Sequence, residues 1–497
     1  MSTRPNFVVI KTDQQRADTI AALGAAHMTT PNMDRLVREG VSFTQSHCCA
    51  ATCVASRAAF YTGQFAHNTG AYGFDQWAHH RTWLHELKDA GYLTSAIGKV
   101  HHMPGDDPMA FHDRVYSENF TEYTSYDDYS NFLLENGQED PYKLLTQNGD
   151  WLSKCNSAPF PLEEKYFVDN FIGTRAVERI EKLDTDQPFY LHVGFVGPHD
   201  PYAPPQRFVD LYADREVPEP KVTGREFDEK PPQFRRFMEQ CINPATFSNC
   251  PGFGVYNVQL SDKSPNELRR MRRHYYGRIT AIDEQIGHIL AALEKKGALE
   301  NTIILFTSDH GDNLGDHQMI YKWLMTEQVT NIPLVFRLPN GARAGEVDSK
   351  LFSQIDVGPT FLEAAGLESQ PRLDGSSAYQ RLTTGDASSA SDRVYCEDNY
   401  LTMMRTEQDK LVHYAGQDYG EYYDLAEDPD ESRNLFDSPD HQGRIKELQA
   451  ELLDWVLSSR YLRSAPNGQA RPHWPDYHPE DPYILSGRPR PERTKLP

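Results

Sequence analysis

A cysteine four residues ahead of an arginine is the feature of this sequence with the clearest capacity for chemistry: Cys53 and Arg57 bracket the run CVASR. If a helix begins at Cys53, the unpaired amides of its first turn stabilise negative charge that develops on a nucleophile there. Arg57 lies one turn further on, and its planar guanidinium can hold an anionic oxygen. The ordinary role of such a cysteine is a buried structural thiol. A plain thiolate nucleophile is a further alternative, although no obvious Cys-His-Asn order accompanies it.

Two pairs of adjacent residues, each with one aspartate, have the side chains of a metal site. Asp13-Gln14 and Asp309-His310 lie far apart in the sequence. A hard divalent cation prefers oxygen ligands, and carboxylates at the ends of two strands can converge on one ion. The neutral side chains of Gln14 and His310 would reduce the negative charge of such a site, which weakly favours manganese or magnesium over calcium. Without the other motifs, Asp309-His310 is more typical of a solvated turn.

Four apolar, β-rich stretches end shortly before polar residues that could act together. Each stretch predicts a short buried strand, so that a strand end carries Asp13, Lys99, His199 or Asp309. In open α/β sheets, binding sites form beyond the carboxyl ends of the strands. The four stretches are Phe7–Ile10, Leu93–Ile97, Pro188–Phe195 and Thr302–Phe306.

Helical patterns alternate with these strands. The clearest helix begins at Ser264-Pro265-Asn266-Glu267, a capping box with proline at the first helical position, and continues to Gly297. Shorter helices are predicted at about Asn32–Glu39 and Trp83–Ala90. The alternation predicts the fold class α/β, with a large, mixed but mainly parallel sheet sandwiched by helices.

The length of 497 residues predicts a large domain with a smaller one appended. We place the main domain at 1–384 and a smaller α/β C-terminal subdomain at 385–463, with a strand through Lys410–Tyr414 and a helix through Ile445–Leu457. Residues 464–497 are proline-rich and predict an extended tail. Such a tail would lie on the surface or on a neighbouring subunit of a homo-oligomer.

Two stretches, 104–165 and 206–262, lose the alternating pattern and predict long loops. Loops of this kind either shape a pocket or are insertions without a role in binding. The aromatic and acidic run Tyr123–Tyr129 in the first stretch either lines a subsite for a sugar or a cation or belongs to a solvated loop.

Composition argues against several classes of partner. A net charge of −22 disfavours nucleic acid and anionic membranes, which both bind basic patches. No apolar run approaches the roughly 20 residues that cross a bilayer. The sequence begins without the basic and apolar segments of a secretion signal, which predicts the cytoplasm, or the periplasm if a leader was removed. Seven cysteines are few for the length and odd in number, which argues against a disulfide framework.

The run CVASR at 53–57, followed by Thr62-Gly63, resembles the signature of the type I sulfatases of the alkaline phosphatase superfamily. In that signature Cys or Ser, any residue, Pro, Ser and Arg lead into a helix that ends at Thr-Gly. The resemblance implies that a maturation enzyme converts Cys53 to formylglycine. The hydrated aldehyde then presents two hydroxyls, of which one attacks sulfur and the other later expels sulfate. This sequence has Ala55 where the family usually has proline, and that departure bears on which maturation system acts here.

The metal pairs resemble the two metal segments of the same family. By that resemblance one divalent cation is held by Asp13, Gln14, Asp309, His310 and the modified Cys53. Many relatives have a second aspartate where Gln14 stands. The family implies calcium, while the neutral ligands leave manganese and magnesium open.

Three further segments resemble the family, and they supply bases and cations. By resemblance, Lys99 and Lys322 bind the oxygens of the ester, and His101 acts on the formylglycine hydroxyl during regeneration. His199, with Lys322, would bind the substrate and assist the departing alcohol. The chemistry agrees, because a sulfate ester carries a negative charge that spreads further in the transition state, where cations stabilise it. Histidine titrates close enough to neutrality to pass protons both ways.

The resemblance runs from about residue 5 to residue 460, since Gln354–Thr360 and Glu421–Leu425 also look like family segments. It implies an alkaline-phosphatase-like fold and hydrolysis of a sulfate monoester by S–O cleavage. The alternatives are a phosphonate monoester or phosphodiester hydrolase, and a sulfatase for choline or aryl esters. A carbohydrate sulfate is slightly preferred because sugar sulfates are common substrates in the family. A non-catalytic binding protein is disfavoured because the nucleophile and the metal ligands are all retained.

Overall fold

The computed structural model describes residues 4–459 except 74, 106, 119–126, 147–153, 233, 235–259 and 261–262. Its strands are β1 Asn6–Asp13, β2 Val41–Phe43, β3 Ser46–His47, β4 Leu93–Gly98, β5 Asp113–Tyr116, β6 Phe189–Pro198, β7 Thr302–Ser308, β8 Leu334–Arg337, β9 Glu346–Asp348, β10 Phe352–Ser353, β11 Val394–Asp398, β12 Leu401–Arg405, β13 Asp409–Tyr414 and β14 Gly420–Asp424.

Its α-helices are α1 Pro31–Glu39, α2 Cys53–Thr62, α3 Ala66–Thr69, α4 Trp83–Asp89, α5 Asp128–Glu135, α6 Pro141–Thr146, α7 Val168–Lys182, α8 Gln206–Tyr212, α9 Glu226–Glu229, α10 Pro265–Lys296, α11 Glu327–Thr330, α12 Val357–Ala364, α13 Tyr379–Thr384 and α14 Gln442–Ser459.

The central sheet has the strand order β5-β4-β6-β1-β7-β8-β2-β9. β8 runs antiparallel to both of its neighbours, β7 and β2, whereas the other neighbouring pairs are parallel. This confirms the predicted mixed, mainly parallel sheet. Because β1 lies between β6 and β7, its carboxyl end meets the ends of both strands.

Strand β1 explains why the sheet is covered on both faces. All eight of its residues are buried. Val8 and Ile10 belong to a hydrophobic core shared with α7 and α10, while Phe7 and Val9 belong to a second core shared with α2 and α4. Since successive residues of a strand point to opposite faces, a continuous apolar run requires a helical layer on each side.

Helix α10 has the predicted ends. The Ser264 hydroxyl accepts the amide of Glu267 at 3.4 Å, and the Glu267 carboxylate accepts the amide of Ser264 at 2.9 Å. These reciprocal bonds satisfy two amides that the helix itself leaves unpaired. The helix is followed by Gly297 with a φ of 71°, a left-handed conformation in which glycine carries no steric penalty.

The C-terminal unit is an antiparallel sheet, β11-β12-β13-β14, covered by α14. Leu448 of α14 packs in one cluster with Leu411 of the sheet. A separate cluster joins Cys396 of β11 to Cys48 of the main domain. The predicted strand and helix of this unit are confirmed, whereas the domain boundaries at 384 and 463 stay predictions.

The stretches predicted as long loops contain regular structure, so that part of the prediction is wrong. Strand β5 and helices α5 and α6 lie within 104–165, and α8 and α9 lie within 206–262. These elements span four to eight residues, too few for a hydrophobic period to emerge. Tyr129 is buried on α5 and donates its hydroxyl to the carbonyl of Tyr166 at 2.8 Å, so it lines neither a subsite nor a solvated loop. Residues 123–126 and the tail at 464–497 lie outside the described residues.

Among the helices that the structure describes, none is both long and apolar enough to cross a membrane. Five described cysteines are free thiols, and all are buried: Cys48, Cys49, Cys53, Cys155 and Cys396. Cys241 and Cys250 lie outside the described residues.

Candidate active site

Two neighbouring strands bring two distant carboxylates together. Asp13 is the last residue of β1, and Asp309 directly follows β7, which pairs with β1 so that Thr12 lies opposite Ser308. The amide of Gln14 donates to Asp309 Oδ1 at 3.0 Å, and the amide of Asp309 donates to the carbonyl of Thr12 at 3.3 Å. Both acidic groups are therefore fixed side by side at the carboxyl edge of the sheet.

Asp13, Asp309 and His310 form a group that could hold a metal ion, since one ligand atom from each lies within 4.8 Å of the other two. His310 Nε2 lies 3.9 Å from Asp13 Oδ1 and 3.7 Å from Asp309 Oδ1. All three residues are fully buried. Within the described part of the chain, Asp13 Oδ1 and His310 Nε2 have no hydrogen-bond partner. Because buried polar atoms are rarely unpaired, the group fits a divalent cation.

The protonation of His310 suits a metal ligand. Burial lowers the pKa of His310 to about 4, so the imidazole is neutral near pH 7. Its Nδ1 lies 2.9 Å from the carbonyl of Gly311 and donates to it, which leaves the lone pair on Nε2. Metal-binding histidines are commonly oriented by such a bond from the other ring nitrogen.

Gln14 lies beside this group and is held by both ends of its amide. Its φ of 69° places it in the left-handed region. The side-chain Nε2 donates to Asp312 Oδ2 at 2.7 Å, and Oε1 accepts a bond from Lys322 Nζ at 3.0 Å. The amide oxygen of Gln14 is therefore held by Lys322, a second predicted site residue.

Arg57 lies against both carboxylates of the possible metal site formed by Asp13, Asp309 and His310. Its Nε donates to Asp309 Oδ2 at 2.8 Å, and its Nη2 lies 3.3 Å from Asp13 Oδ2. Nη1 donates to the carbonyl of Lys99 at 2.9 Å. Burial by itself raises the pKa of the Asp309 carboxyl, but the guanidinium of Arg57 holds that pKa below its usual value. Two of these three bonds go to carboxylate oxygens, which agrees with the prediction that the guanidinium can hold an anionic oxygen.

Cys53 is the first residue of α2, as the sequence predicts, and it is 3% exposed. It does not belong to the group of three possible ligands. The charges of Lys322, Lys99, Asp13 and Asp309 nevertheless act on its thiol. Burial raises the pKa of the thiol despite the two lysines, so the thiolate is disfavoured. This speaks against Cys53 as a plain thiolate nucleophile.

Two lysines flank the carboxylates. Lys99 Nζ lies 2.7 Å from Asp13 Oδ2, and both Lys99 and Lys322 are buried. Lys99 follows Gly98, where a Cβ would lie 2.2 Å from the carbonyl oxygen of Gly194 on β6. Only glycine permits this close approach of the two strands. Burial opposes the ionised form of Asp13, yet Lys99 and the nearby cationic groups hold the pKa of Asp13 well below its usual value.

Both predicted histidines lie at the same edge of the sheet. The amide of His199 donates to the carbonyl of Asp13 at 3.0 Å, and His199 Nδ1 donates to the carbonyl of Asp200 at 2.8 Å. The amide of His101 donates to the carboxylate of Glu118 at 2.8 Å. Burial and nearby lysines lower the pKa of both imidazoles well below the usual value. The His199 side chain is 17% exposed and is the more accessible of the two.

Asp312 is a site residue that the sequence displays but to which sequence reasoning gave no role. Its two carboxylate oxygens accept four bonds, from Gln14 Nε2, the Tyr202 hydroxyl, and the amides of Leu314 and Tyr321. The carboxylate therefore orients Gln14 and fixes the chain just before Lys322. Its place three residues after Asp309 was the only available signal.

The family model described as Sulfatase matches residues 5–367. The chain belongs to the sulfatase family. A second model, described as N-sulphoglucosamine sulphohydrolase, C-terminal, matches residues 315–457 of this sulfatase. The two models together cover both the main sheet and the C-terminal unit.

Curated relatives and a solved structure cover nearly the whole sulfatase. It is 29% identical to an arylsulfatase of Clostridium perfringens, over 90% of this chain and 94% of the relative. It is 26% identical to an N-acetylglucosamine-6-O-sulfatase of Bacteroides thetaiotaomicron, over 90% of this chain and 85% of the relative. The structure of a phosphonate monoester hydrolase of Agrobacterium radiobacter matches with a TM-score of 0.75 and 25% identity, over 94% of this chain and all of the other. The predicted alkaline-phosphatase-like fold is confirmed.

Membership of the sulfatase family implies a metal ion and a formylglycine. Two buried ligand atoms, Asp13 Oδ1 and His310 Nε2, have no hydrogen-bond partner among the described residues and fit the first. The position of Cys53 at the start of α2 fits the second. The geometry can therefore hold a cation at the carboxyl edge of the sheet.

Proposed function

We propose that this sulfatase hydrolyses a sulfate monoester by S–O cleavage at a formylglycine made from Cys53. The observation that carries the proposal is the position of residue 53, which opens α2 where the charges of Asp13, Asp309, Lys99 and Lys322 all act on it. Hydrated formylglycine supplies an oxygen nucleophile and a second hydroxyl that later releases sulfate. The proposal requires a formylglycine-generating maturation enzyme, and Ala55 makes the extent of conversion a quantity to measure.

Asp13, Asp309 and His310 would hold one divalent cation, together with Gln14 and residue 53. A bound cation supplies Lewis-acid stabilisation of negative charge on the ester. The family favours calcium, while the neutral donors Gln14 and His310 favour manganese or magnesium. Titration of metal-stripped protein with each ion, followed by thermal unfolding, ranks the three.

Lys99 and Lys322 would bind the ester oxygens. Their ammonium groups already lie against Asp13 Oδ2 and Gln14 Oε1, at 2.7 and 3.0 Å. Burial disfavours the charged form of Lys322, whereas the charges of Cys53, Asp13 and Asp309 raise its pKa above the usual value. Once Cys53 is converted to formylglycine, only the carboxylates of this group favour the ammonium form. Fixed buried cations stabilise charge that spreads in the transition state without reorganisation. Arg57 would act through Asp309 and Asp13, which it keeps ionised.

His199 would hand a proton to the departing alcohol, and His101 would take a proton from the formylglycine hydroxyl. Both imidazoles are neutral near pH 7, because burial lowers the pKa of each well below the usual value. A neutral His101 is ready to accept a proton. His199 becomes a donor once an anionic ester lies beside it, because a negative charge raises the pKa of a neighbouring imidazole.

A carbohydrate sulfate is the preferred substrate, supported by the N-acetylglucosamine-6-O-sulfatase relative. Phosphonate monoester or phosphodiester hydrolysis is the second candidate, supported by the solved phosphonate monoester hydrolase at 25% identity. The test compares kcat/KM for matched nitrophenyl sulfate and nitrophenyl phosphonate esters, and for glucosamine 6-sulfate. We expect the sulfates to be preferred, whereas a phosphonate preference of about a thousandfold, worth about 4 kcal/mol of transition-state binding, would replace the first candidate with the second.

A homo-oligomer formed through residues 464–497 completes the proposal. The composition of this segment, rich in proline and aromatic residues, supports it. Light scattering of the full chain and of a chain ended at residue 463 tests it. An unchanged number of subunits in the shortened protein would show that residues 464–497 do not hold the subunits together.

A further inference from the structure

The C-terminal unit touches the residue immediately before Cys53. Asp398 is the last residue of β11, and its carboxylate accepts a hydrogen bond from the hydroxyl of Thr52. Both residues are 3% exposed. They are 346 positions apart in the sequence. The second carboxylate oxygen of Asp398 accepts a bond from Asn399 Nδ2 at 2.8 Å, which fixes the plane of the carboxylate.

This contact changes what Thr52 does for helix α2. Thr52 occupies the N-cap position, with φ and ψ of −127° and 136°. A threonine there ordinarily accepts a bond from an amide of the first turn, which such helices otherwise leave unpaired. In α2 the Thr52 side chain makes no such cap within the described residues. The Thr52 hydroxyl donates to Asp398 instead, so the Thr52 side chain does not pair with the amides of the first turn.

Hydrogen bonds of Glu397, the residue before Asp398, also fix strand β11 against the main domain. The amide of Glu397 donates to the carbonyl of Cys49 at 2.9 Å, three residues before Thr52. The Glu397 carboxylate lies 2.9 Å from His67 Nδ1 and also accepts the amide of His67 at 3.0 Å. The side chains of Glu397 and Asp398 point to opposite faces of β11, because successive strand residues alternate. Both side chains nevertheless bind residues of the main domain.

We propose that Asp398 is a positioning residue for the nucleophile: by binding the Thr52 hydroxyl, it fixes the backbone that carries residue 53 and keeps the first turn of α2 open to the reacting ester. The proposal rests on the proposed function of residue 53. It makes the C-terminal unit a part of the active site rather than an appended module. Asp398 acts through Thr52 and touches no reacting atom.

The test compares five variants with the wild type at equal formylglycine content, measured by mass spectrometry of the peptide that contains residue 53: four single variants, and the double variant that combines Asp398→Ala with Thr52→Val. Asp398→Ala and Thr52→Val each remove the hydrogen bond, and Thr52→Val does so at nearly constant volume. Asp398→Asn is the conservative variant, because its amide can donate to the threonine oxygen. Glu397→Ala is the matched control, since it removes the neighbouring carboxylate that binds His67 and leaves Thr52 untouched.

We expect Asp398→Ala and Thr52→Val each to lower kcat about 10- to 100-fold, the range for a slightly misplaced reacting group, with KM within about threefold. The double variant should be no slower than the slower single variant, because both remove one interaction. Asp398→Asn should recover most of the rate, and Glu397→Ala should stay within about threefold of the wild type. If Asp398→Ala does not fold, the kcat of Thr52→Val alone tests the proposal.

Three results would overturn the proposal: a kcat within about threefold of the wild type for Thr52→Val, effects of the two changes that multiply, or a loss in Glu397→Ala equal to that in Asp398→Ala. The last would mean that β11 acts only by docking the two units. Failure of the proposed function has a different signature, since the fully converted wild type would itself then be inactive on sulfate esters.

Discussion

Replacing Arg57 with methionine removes the guanidinium that binds Asp13 and Asp309 and leaves an unbranched apolar side chain in place of the aliphatic part of the arginine. Arg57 is fully buried, and its nitrogens lie 2.8 Å from Asp309 Oδ2, 3.3 Å from Asp13 Oδ2 and 2.9 Å from the carbonyl oxygen of Lys99. After the change, the buried Asp13 keeps its ion pair with Lys99 at 2.7 Å, whereas the buried Asp309 loses its ion pair with Arg57. The variant should therefore be destabilised most when no divalent metal is bound.

Removing one partner of a buried ion pair costs about 3–5 kcal/mol, because the other charge is left uncompensated. Unfolding entropy of about 2.1 cal/mol/K per residue gives roughly 1 kcal/mol/K for a protein of roughly 450 residues, so Tm in a chelator should fall by about 3–5 °C. A divalent cation restores a countercharge to Asp13 and Asp309. It should raise Tm by several degrees more in the variant than in the wild type.

The assay is thermal unfolding in chelator and in saturating calcium or manganese. Arg381→Met is the matched control, since Arg381 is also buried and donates to both oxygens of Asp348 at 2.6 Å and to the carbonyl of Leu351 at 2.8 Å. This control should lose stability equally in both conditions. An equal metal-induced rise in Tm for Arg57→Met and the wild type would refute the reasoning that Arg57 and the cation neutralise the same carboxylates.

Three other substitutions have separate expected outcomes. Asp312→Asn cannot accept all four hydrogen bonds that Asp312 accepts, among them those from Gln14 and Tyr321. Metal affinity, measured by calorimetry, should therefore fall about 10- to 100-fold. An unchanged metal affinity would show that Asp312 does not support the metal site. His199→Asn should slow hydrolysis of alkyl or sugar sulfates about 10²- to 10⁴-fold but that of nitrophenyl sulfate far less, because only the poor leaving group needs a proton; equal losses on both esters would contradict this. Burial raises the pKa of Asp283 to about 6, so the folded protein binds this proton more tightly than the unfolded chain, and stability falls as pH rises from about 4 to about 6. Between about pH 4 and about pH 6, the Tm of the wild type should therefore fall by about 3 °C more than the Tm of Asp283→Asn, which corresponds to about 3 kcal/mol. An equal change of Tm with pH in the two proteins would contradict this prediction.

Much of the sheet and the metal group could be predicted from the sequence because both depend on local patterns. The apolar run at Phe7–Ile10 predicts a strand, and the carboxyl end of a parallel strand predicts a site, so the sequence alone indicates Asp13 and Asp309. The strand continues through Lys11 to Asp13 with every residue buried. No hydrophobic pattern signals the burial of such polar residues, since it depends on the charges that meet them.

The contacts that support the site were beyond sequence reasoning because they join remote segments. Asp398 meets Thr52 across 346 positions, and the guanidinium of Arg57 turns towards Asp309 only because β1 and β7 pair beside α2. Short elements such as α5 were missed for a different reason: eight residues give barely two helical turns, which tertiary packing stabilises without a clear amphipathic period.

The mass of the peptide that contains residue 53, measured together with turnover on the same preparation, tests the central claim most directly. Conversion of cysteine to formylglycine exchanges sulfur and two hydrogens for one oxygen, which makes the peptide about 18 Da lighter. Across preparations with different extents of conversion, the rate of sulfate ester hydrolysis should rise in proportion to the lighter fraction and vanish in Cys53→Ala. Full activity in a preparation that contains only the unmodified thiol would contradict the account.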